Sequence, residues 1–248
     1  MTRAIILAAG RGSRMGKETK NKPKCLTLLK GKKLLEWQIN SLNKAGIEEV
    51  QAVTGYKREQ LSNYFKQTYV NEKWATTNMV FSLNCAPKSN GDTIISYSDI
   101  TYSSKHVSAL CESKHDITIT ADLDWLSLWS LRFDNPLEDA ETFISSESGL
   151  ISIGGKTENL EEINAQFMGL IKLTPRGWDI IFNVYNEFSQ LQREKMDFTS
   201  LLNHLLKRGH HVKVEFVNGK WCECDSYNDV LTFEKQLQGS NWSHDWRE

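Results

Sequence analysis

An apolar run that ends in a glycine-rich, basic segment constrains this sequence more than any other feature. Residues 4–9 (AIILAA) carry no polar side chain, which is typical of a strand buried on both faces of a parallel sheet. Glycines directly after such a strand let the backbone approach a ligand closely, and their N–H groups bind phosphate oxygens. Arg11, Arg14 and Lys24 add positive charge. The segment therefore predicts a phosphate-binding loop, although a glycine-rich loop taken alone is equally compatible with a tight turn.

The spacing within this loop disfavours two common phosphate-binding motifs. The sequence lacks the Walker spacing G-x-x-x-x-G-K-[ST] after the first strand. A dinucleotide fingerprint needs an acidic residue at the end of the second strand, where Thr54, Gly55 and Tyr56 stand instead. A P-loop NTPase and a dinucleotide-binding enzyme are therefore both disfavoured.

Strand and helix patterns alternate along most of the chain. The patterns predict strands at residues 4–9, 50–54, 93–96, 117–121, 166–173, 212–217 and 220–224, and helices at 34–45, 59–65, 78–86, 105–112, 178–191, 198–206 and 226–237. Such alternation implies right-handed crossovers and a mostly parallel sheet covered on both faces. We expect one α/β domain that spans residues 1–248, since no repeat or linker marks a boundary.

Two segments depart from this alternation. Residues 124–155 contain clustered tryptophans, an acidic stretch and two short strand patterns, which we interpret as an insertion over the carboxyl edge of the sheet. Residues 239–248 have no periodicity, which predicts a mobile tail.

Composition favours a small-molecule partner in the cytoplasm. The 248 residues have a net charge of −1, so we expect neither a nucleic acid nor an anionic membrane as partner. The N-terminal apolar run is too short for a signal peptide or a membrane span. Five cysteines with irregular spacing indicate reduced thiols, and a zinc site at Cys222 and Cys224 is disfavoured because no second pair with ligand spacing exists.

Two carboxylates follow strand patterns far apart in the chain. Asp99 comes after the strand at 93–96, and Asp225 comes after the one at 220–224. Carboxylate oxygens are the ligands that Mg²⁺ prefers, so the pair predicts a magnesium site. Each residue taken singly is as readily explained as a turn residue or a helix N-cap. Glu223 lies on the same strand face as Asp225 and is a candidate contact for a cationic substrate group.

The segment L-A-A-G-x-G-S-R-M followed by N-K-P-K resembles the signature of the sugar-phosphate nucleotidyltransferase superfamily. The resemblance implies a Rossmann-like three-layer α/β/α fold in which the glycine loop holds a nucleoside triphosphate. It implies that Arg14 and Lys24 stabilise charge during attack on the α-phosphate. The nucleotide-binding residues expected from it are Leu7, Ala8, Ala9, Gly10, Arg11, Gly12, Gly55 and Asn78.

Further superfamily landmarks recur in order. Asp99 resembles the metal-binding aspartate, although Ser98 replaces the usual preceding glycine. The run WCECD and the helix after it resemble the pattern W-x-E-x-D-[ST]-x-x-D, in which Asp225 completes the metal site. The resemblance therefore extends over nearly the whole chain and assigns Mg²⁺ to Asp99 and Asp225.

Other segments are most similar to small-molecule cytidylyltransferases. WATTNMVFSL resembles the N-x-x-[SY]-L helix of phosphocholine cytidylyltransferases and places Asn78 near the nucleotide, although a core helix explains the apolar positions equally well. Residues 124–142, with ISYSDI and QFMGL, resemble capsule-type enzymes that activate phosphorylated amino compounds, including phosphoglutamine. Lys156, after Gly154 and Gly155, resembles the second basic residue with which the superfamily holds the acceptor phosphate. The full set of residues expected to bind the acceptor is Lys156, Gln166, Gly169, Glu223, Glu138 and Asp139. The acidic residues among them are also compatible with a solvated loop.

The sequence therefore predicts a cytoplasmic, CTP-dependent cytidylyltransferase. It would transfer CMP to a small phosphorylated or phosphonate acceptor, release pyrophosphate and serve surface polysaccharide modification. One rival is a sugar-1-phosphate nucleotidyltransferase that uses UTP or dTTP, and the other is a non-catalytic nucleotide-binding protein of the same fold. A homodimer is compatible with the sequence, and the acceptor remains open among phosphoglutamine, phosphocholine, an aminophosphonate and a phosphorylated polyol.

Overall fold

A seven-stranded sheet forms the centre of the computed structural model, which describes residues 2–239 and 241–248. Its strands are Arg3–Ala8 (β1), Val50–Thr54 (β4), Thr68–Val70 (β5), Thr93–Tyr97 (β6), Ile117–Asp122 (β8), Gln166–Leu173 (β11) and Lys213–Val217 (β12). Their order in the sheet is β12-β8-β11-β6-β1-β4-β5. Strand β11 pairs antiparallel with both β6 and β8, whereas the other pairs are parallel. The expected mixed, mostly parallel sheet is confirmed.

Helices cover both faces of this sheet. Their bounds are Leu34–Lys44 (α1), Met79–Asn84 (α2), Ser104–Glu112 (α3), Trp125–Arg132 (α4), Pro175–Asn186 (α5), Gln190–Lys195 (α6), Phe198–Lys207 (α7) and Tyr227–Gln236 (α8). Alternate side chains of β1 enter two separate apolar cores: Ile6 belongs to the core that includes Leu35 of α1, and Ile5 belongs to the core that includes Phe182 of α5. The side chains of Ile5 and Ile6 are both fully buried. The architecture is therefore the single-domain, three-layer α/β/α fold that the resemblance implies.

Six short strands form two-stranded sheets outside the central one. They are Leu28–Leu29 (β2) with Lys32–Lys33 (β3), Ile100–Tyr102 (β7) with Trp221–Glu223 (β13), and Phe143–Ser146 (β9) with Gly149–Ile153 (β10). All three pairs are antiparallel. Strands β9 and β10 belong to the segment 124–155. In chain order, β7 follows β6 and β13 follows β12.

The sequence prediction was wrong for the helix at 59–65. The structure has a single 3-10 turn at Arg58–Leu61 instead, and the edge strand β5 follows it. Only Leu61 and Phe65 in that segment are buried, so a full helix would have little apolar surface to pack.

The C-terminal segment 241–248 packs against the domain, contrary to the expectation of a mobile tail for 239–248. Trp246 is only 2% exposed and meets the ring of Trp37 edge-on at 5.7 Å. His244 is fully buried, with Nε2 3.0 Å from Oδ2 of Asp122. A tail can pack through single large side chains without showing any periodicity. Ser240, which belongs to the predicted mobile tail, lies outside the described residues.

Among the described residues, no helix is long and apolar enough to cross a membrane.

Candidate active site

The glycine loop leaves the carboxyl end of β1 and passes directly over Lys24. Gly12 has a φ of +70°, and a Cβ atom there would lie 2.6 Å from Cδ of Lys24. Glycine is therefore required at this position both for the backbone angle and for the close approach of the lysine. Two 3-10 turns, Ser13–Thr19 and Lys24–Leu26, carry the loop back under itself. Lys24 is consequently only 6% exposed.

The antiparallel pair of β7 and β13 brings the two predicted metal ligands together. Glu223 is opposite Ile100 in this pair, and the backbone N–H of Cys224 donates to the carbonyl of Asp99 at 2.9 Å. Asp99 precedes one strand and Asp225 follows the other, so antiparallel pairing places both carboxylates at the same end. This end lies beside the glycine loop, since both carboxylates contact Lys24.

The ammonium group of Lys24 bridges these two carboxylates. Its Nζ atom lies 2.7 Å from Oδ2 of Asp99 and 2.7 Å from Oδ1 of Asp225. Burial lowers the pKa of Lys24, but Asp99 and then Asp225 outweigh burial and raise the pKa above its usual value. The guanidinium of Arg14 approaches from the solvent side, 2.8 Å from the same oxygen of Asp225. Lys24 is therefore protonated. Its ammonium group and the guanidinium group of Arg14 both contact Oδ1 of Asp225.

Three carboxylates form a group that can hold a divalent cation. One oxygen each of Asp99, Glu223 and Asp225 lie within 4.8 Å of one another. Oδ1 of Asp99 is buried and has no hydrogen-bond partner among the described residues. Such an oxygen is costly in a folded protein unless it has a ligand, and oxygen donors suit a hard cation such as Mg²⁺. The residues present therefore fit a divalent cation.

The pKa values of Glu223, on β13, and of Asp225, which follows β13, are shifted in opposite directions. Burial, with help from Asp225, raises the pKa of Glu223 to about 8, and Arg132 opposes this shift. Burial acts in the same sense on Asp225, but Lys24, Arg14 and Arg132 together hold its pKa below the usual value. Asp225 is thus the permanently charged member of the pair.

Arg132 is a member of this site that the sequence analysis did not identify. Its side chain is fully buried at the end of α4 and lies 3.0 Å from Asp225, 3.1 Å from Glu223 and 3.3 Å from Asp229. Nothing in the local sequence SLRFD distinguishes this arginine from a surface residue. Only the packing of α4 against α8 reveals its role.

A first cavity of about 280 Å³ lies between the glycine loop and α2. Of the residues predicted to bind the nucleotide or catalyse its transfer, those that line this cavity are Leu7, Ala9, Gly10, Gly12, Arg14, Lys24, Asn78 and Asp99. Asn78 caps α2, with its side chain accepting from the N–H of Met79 at 2.8 Å. Trp74, Thr77 and Ser98 also line this cavity and were not predicted.

Three predicted nucleotide-binding residues do not line this cavity. Ala8 is buried in the sheet, and Arg11 lies over the ring of Tyr56 at 5.9 Å. Gly55 supports the loop instead: a Cβ atom there would lie 2.6 Å from Cβ of Trp74 and 2.7 Å from the carbonyl oxygen of Ala9. In the sequence, a glycine that packing requires cannot be distinguished from a glycine that contacts a ligand.

A second cavity of about 330 Å³ adjoins the first on the side of the segment 124–155. Arg14, Met79 and Tyr97 line both cavities, so the two are adjacent. The predicted residues that line the second one are Asp139, Lys156, Gln166, Glu223 and Asp225. Glu141, Asp197, Thr199, Trp129 and Phe167 line it as well.

Two predicted acceptor-binding residues lie outside this cavity. Glu138 contributes a backbone carbonyl, which accepts from Nζ of Lys156 at 3.1 Å. Gly169 lies under the ring of Tyr97, where a Cβ atom would be 2.5 Å from Cδ2. Its φ of +77° falls where the register of β11 shifts against β8, so the glycine serves a bulge and makes room for Tyr97.

Comparison with known proteins agrees with this geometry. The MobA-like NTP transferase domain matches residues 4–124, which run from β1 to the beginning of α4. A CTP:phosphoglutamine cytidylyltransferase from Campylobacter jejuni is 37% identical over 92% of this chain and 97% of its own length. A choline-phosphate cytidylyltransferase from Streptococcus pneumoniae is 41% identical over 33% of this chain and 37% of its own length.

Solved structures share the fold. The inositol-1-phosphate CTP transferase from T. maritima superposes with a TM-score of 0.75 and 21% identity, covering 98% of both chains. A putative glucose-1-phosphate thymidylyltransferase from Bacillus anthracis gives a TM-score of 0.75 and 17% identity, covering 98% of this chain and 97% of its own.

The chain belongs to the nucleotidyltransferases, as its 37% identity over nearly the full length of the C. jejuni cytidylyltransferase establishes. Within it, residues 4–124 match the MobA-like NTP transferase domain.

Proposed function

We propose that this protein transfers CMP from CTP to a small phosphorylated acceptor that carries an amino or amide group, of which phosphoglutamine is the leading example. The C. jejuni relative, named for CTP and phosphoglutamine, supports both choices. Two further relatives are named as cytidylyltransferases for phosphocholine and for 2-aminoethylphosphonate. All three acceptors combine a phosphorus-bearing group with a nitrogen-bearing group.

The observation that carries this proposal is the place of Lys24, Asp99 and Asp225 at the junction of two cavities. Lys24 and Asp99 line the first cavity, Asp225 lines the second, and Lys24 joins the two carboxylates by contacts of 2.7 Å. A nucleotide in the first cavity and an acceptor in the second would bring their phosphates together at this point. That arrangement is what an in-line phosphoryl transfer needs.

The reaction then follows from the groups at the junction. A phosphate oxygen of the acceptor attacks the α-phosphorus of CTP, a new P–O bond forms, and the bond to pyrophosphate breaks. The attacking oxygen is already ionised at neutral pH, so no general base is required. Lys24 and Arg14 stabilise the negative charge of the triphosphate as it shifts toward the leaving pyrophosphate.

We propose Asp99, Asp225 and Glu223 as the residues that hold Mg²⁺ in this enzyme. Their oxygens lie within 4.8 Å of one another, and the buried Oδ1 of Asp99 lacks a partner among the described residues. When bound, the ion would supply charge neutralisation and alignment of the reacting phosphates. Glu223, which the sequence analysis assigned to a cationic substrate group, fits this role better because its side chain belongs to the same acidic group.

The charge of the second cavity supports an amino-bearing acceptor. Asp139, Glu141 and Asp197 line its wall, and Lys156 is the basic residue on that side. Nζ of Lys156 donates to the backbone carbonyls of Asp139 at 2.9 Å and Glu138 at 3.1 Å. The acidic groups suit an ammonium or amide group, whereas Lys156 and Arg14 suit the phosphate of the same molecule.

We further propose that the enzyme acts in the cytoplasm, where CTP is made and where its five free cysteines remain reduced. A role in surface polysaccharide modification and a homodimeric assembly stay predictions from sequence.

The test is a matrix of nucleotides and acceptors assayed by pyrophosphate release. CTP, UTP, dTTP, ATP and GTP are each combined with phosphoglutamine, phosphocholine, 2-aminoethylphosphonate, a phosphorylated polyol and glucose-1-phosphate, with and without Mg²⁺. We expect Mg²⁺-dependent release with CTP and an amino or amide acceptor. Preference for UTP or dTTP with glucose-1-phosphate would establish the rival sugar nucleotidyltransferase, and nucleotide binding without release would establish a non-catalytic protein.

A further inference from the structure

The guanidinium group of Arg132 is enclosed by acidic and aromatic side chains. It lies 5.2 Å from the ring of Trp129 and 5.0 Å from that of Phe133, so its planar faces are covered by residues of its own segment. Its N–H groups point at Glu223, Asp225 and Asp229. The side chain is fully buried and is not among the residues that line either cavity.

Arg132 binds one oxygen each of Glu223 and Asp225 and does not contact the other oxygen of either carboxylate. On Asp225 it contacts Oδ2, while Oδ1 is the oxygen that faces Lys24 and Arg14. On Glu223 it contacts Oε2 at 3.1 Å. Because the guanidinium group is a rigid fork, it fixes the rotation of both carboxylates at once. A lysine ammonium group, which is a single point charge, does not impose that geometry.

Asp229 completes the frame around Arg132. Its Oδ1 accepts from Nε of Arg132 at 3.3 Å, while its Oδ2 accepts from the backbone N–H groups of Asp225 at 2.9 Å and Ser226 at 2.7 Å. The backbone at Asp225 is thus held from one side and its side chain from the other. The contact between Arg132 and Asp229 also ties the end of α4 to the start of α8.

We propose that Arg132 is a positioning residue that sets which oxygens of Glu223 and Asp225 face the bound divalent cation. The inference rests on the proposed function, since the cation belongs to it. Groups that orient metal-ligating carboxylates typically contribute about 10- to 100-fold to metal affinity. Arg132 acts through geometry, because its positive charge taken alone opposes the binding of a second cation.

The test measures binding of Mn²⁺ alone to the full chain, by the loss of the free-ion signal in electron paramagnetic resonance. Arg132→Lys keeps the charge and removes the fork, so we expect its Mn²⁺ dissociation constant to rise about tenfold or more. We also expect the turnover lost in this variant to recover as Mg²⁺ is raised. Arg3→Lys is the matched control, because Arg3 is also buried, only 4% exposed, and donates to Gln51 and Thr93 far from the site.

The outcomes separate this inference from the proposed function. An affinity of Arg132→Lys within about twofold of the wild type overturns the role of Arg132 even if the enzyme uses CTP, because loss of an orienting group should exceed that range. Tighter binding by Arg132→Met than by the wild type also overturns it, since that result indicates a purely electrostatic effect. Absence of Mn²⁺ binding by the wild type overturns the metal site and this inference together, whereas the choice of nucleotide is decided by the pyrophosphate assay alone.

A second variant covers the case in which Arg132→Lys does not fold. Asp229→Asn weakens the contact with Nε of Arg132, while its amide oxygen can still accept from the backbone N–H groups of Asp225 and Ser226, and the side chains of Asp99, Glu223 and Asp225 are not replaced. We expect weaker Mn²⁺ binding in the folded variant, and unchanged affinity contradicts the proposal.

Discussion

The Nζ atom of Lys24 lies 2.7 Å from Oδ1 of Asp225, although the two residues are 201 positions apart in the chain. Lys24 belongs to the turn after the glycine loop, and Asp225 follows the last strand. Their contact joins the nucleotide side of the site to the acceptor side.

Replacement of Lys24 by alanine should lower turnover by about 10²- to 10³-fold, since removal of one charge-stabilising donor typically costs that much. The loss should appear in kcat, because the lysine is proposed to act on charge that develops during transfer. Steady-state pyrophosphate release measures it, with circular dichroism as the check on folding. Lys22→Ala is the matched control, since Lys22 is partly exposed and pairs only loosely with Glu18, at 3.7 Å. Near-normal turnover of Lys24→Ala would remove Lys24 from the catalytic machinery.

Replacement of Glu141 by glutamine should raise the KM for an amino-bearing acceptor by about tenfold or more, the usual contribution of a contact to a charged group. The KM for CTP should stay unchanged, because Glu141 lines only the second cavity. Glu147→Gln, in the exposed turn between β9 and β10, is the control. Equal effects on both KM values would contradict a role confined to the acceptor.

The pH dependence of the same KM follows from the state of Glu141. Burial, with a contribution from Asp197, raises the pKa of this carboxyl above its ordinary value. Its charged form is the one that binds an ammonium group and is lost as the pH falls through this raised pKa. We therefore expect the acceptor KM of the wild type to increase on acidification, starting above the pH at which an ordinary glutamate titrates, and Glu141→Gln to lack this increase. A wild-type profile that matches the variant would exclude Glu141 as the titrating group.

Replacement of Gly169 by alanine should destabilise the protein more than the same change at Gly209. Both glycines have a φ of +77°, so each alanine incurs about 1–2 kcal/mol of left-handed backbone strain. At Gly209 a Cβ atom meets open space, whereas at Gly169 it would lie 2.5 Å from Tyr97, which adds about 1–3 kcal/mol of overpacking. Urea denaturation of both variants measures the difference. Equal losses would mean that Tyr97 moves aside freely.

Replacement of Trp246 by alanine should lower the free energy of unfolding by about 3 kcal/mol, because a buried tryptophan near the C-terminus is lost. Asn241→Ala, at an exposed position in the same segment, should change it by less than about 0.5 kcal/mol. Thermal and urea denaturation provide the measurement. A neutral Trp246→Ala would show that the segment 241–248 adds nothing to the stability of the domain.

Periodicity predicted the fold well where the helices and strands are long and buried. The predicted strands 50–54 and 166–173 coincide with β4 and β11, since both are mostly apolar segments that are buried inside the sheet. The helix at 59–65 and the mobile tail were wrong for a common reason. Short segments take their structure from a few tertiary contacts, such as those of Leu61 and Trp246, which leave no periodic signal.

The candidate site was predictable where a motif carries the residue and hidden where only packing does. Lys24, Asp99 and Asp225 stand in recognisable motifs, and the structure brings all three together. Arg132 reaches the same carboxylates from a helix whose local sequence has no such motif. Gly169 shows the opposite problem, because a glycine required by a neighbouring ring resembles one that lines a cavity.

The most direct test of the central claim follows the phosphorus atoms themselves. A reaction of CTP, phosphoglutamine and Mg²⁺ with the wild-type protein is monitored by ³¹P nuclear magnetic resonance. We predict equimolar appearance of pyrophosphate and of a cytidine diphosphate conjugate in which the α-phosphate of CTP is joined to the acceptor phosphate, and neither product with Lys24→Ala over the same time. Pyrophosphate without the joined conjugate, or no reaction across the full acceptor panel, would contradict transfer of CMP by this site.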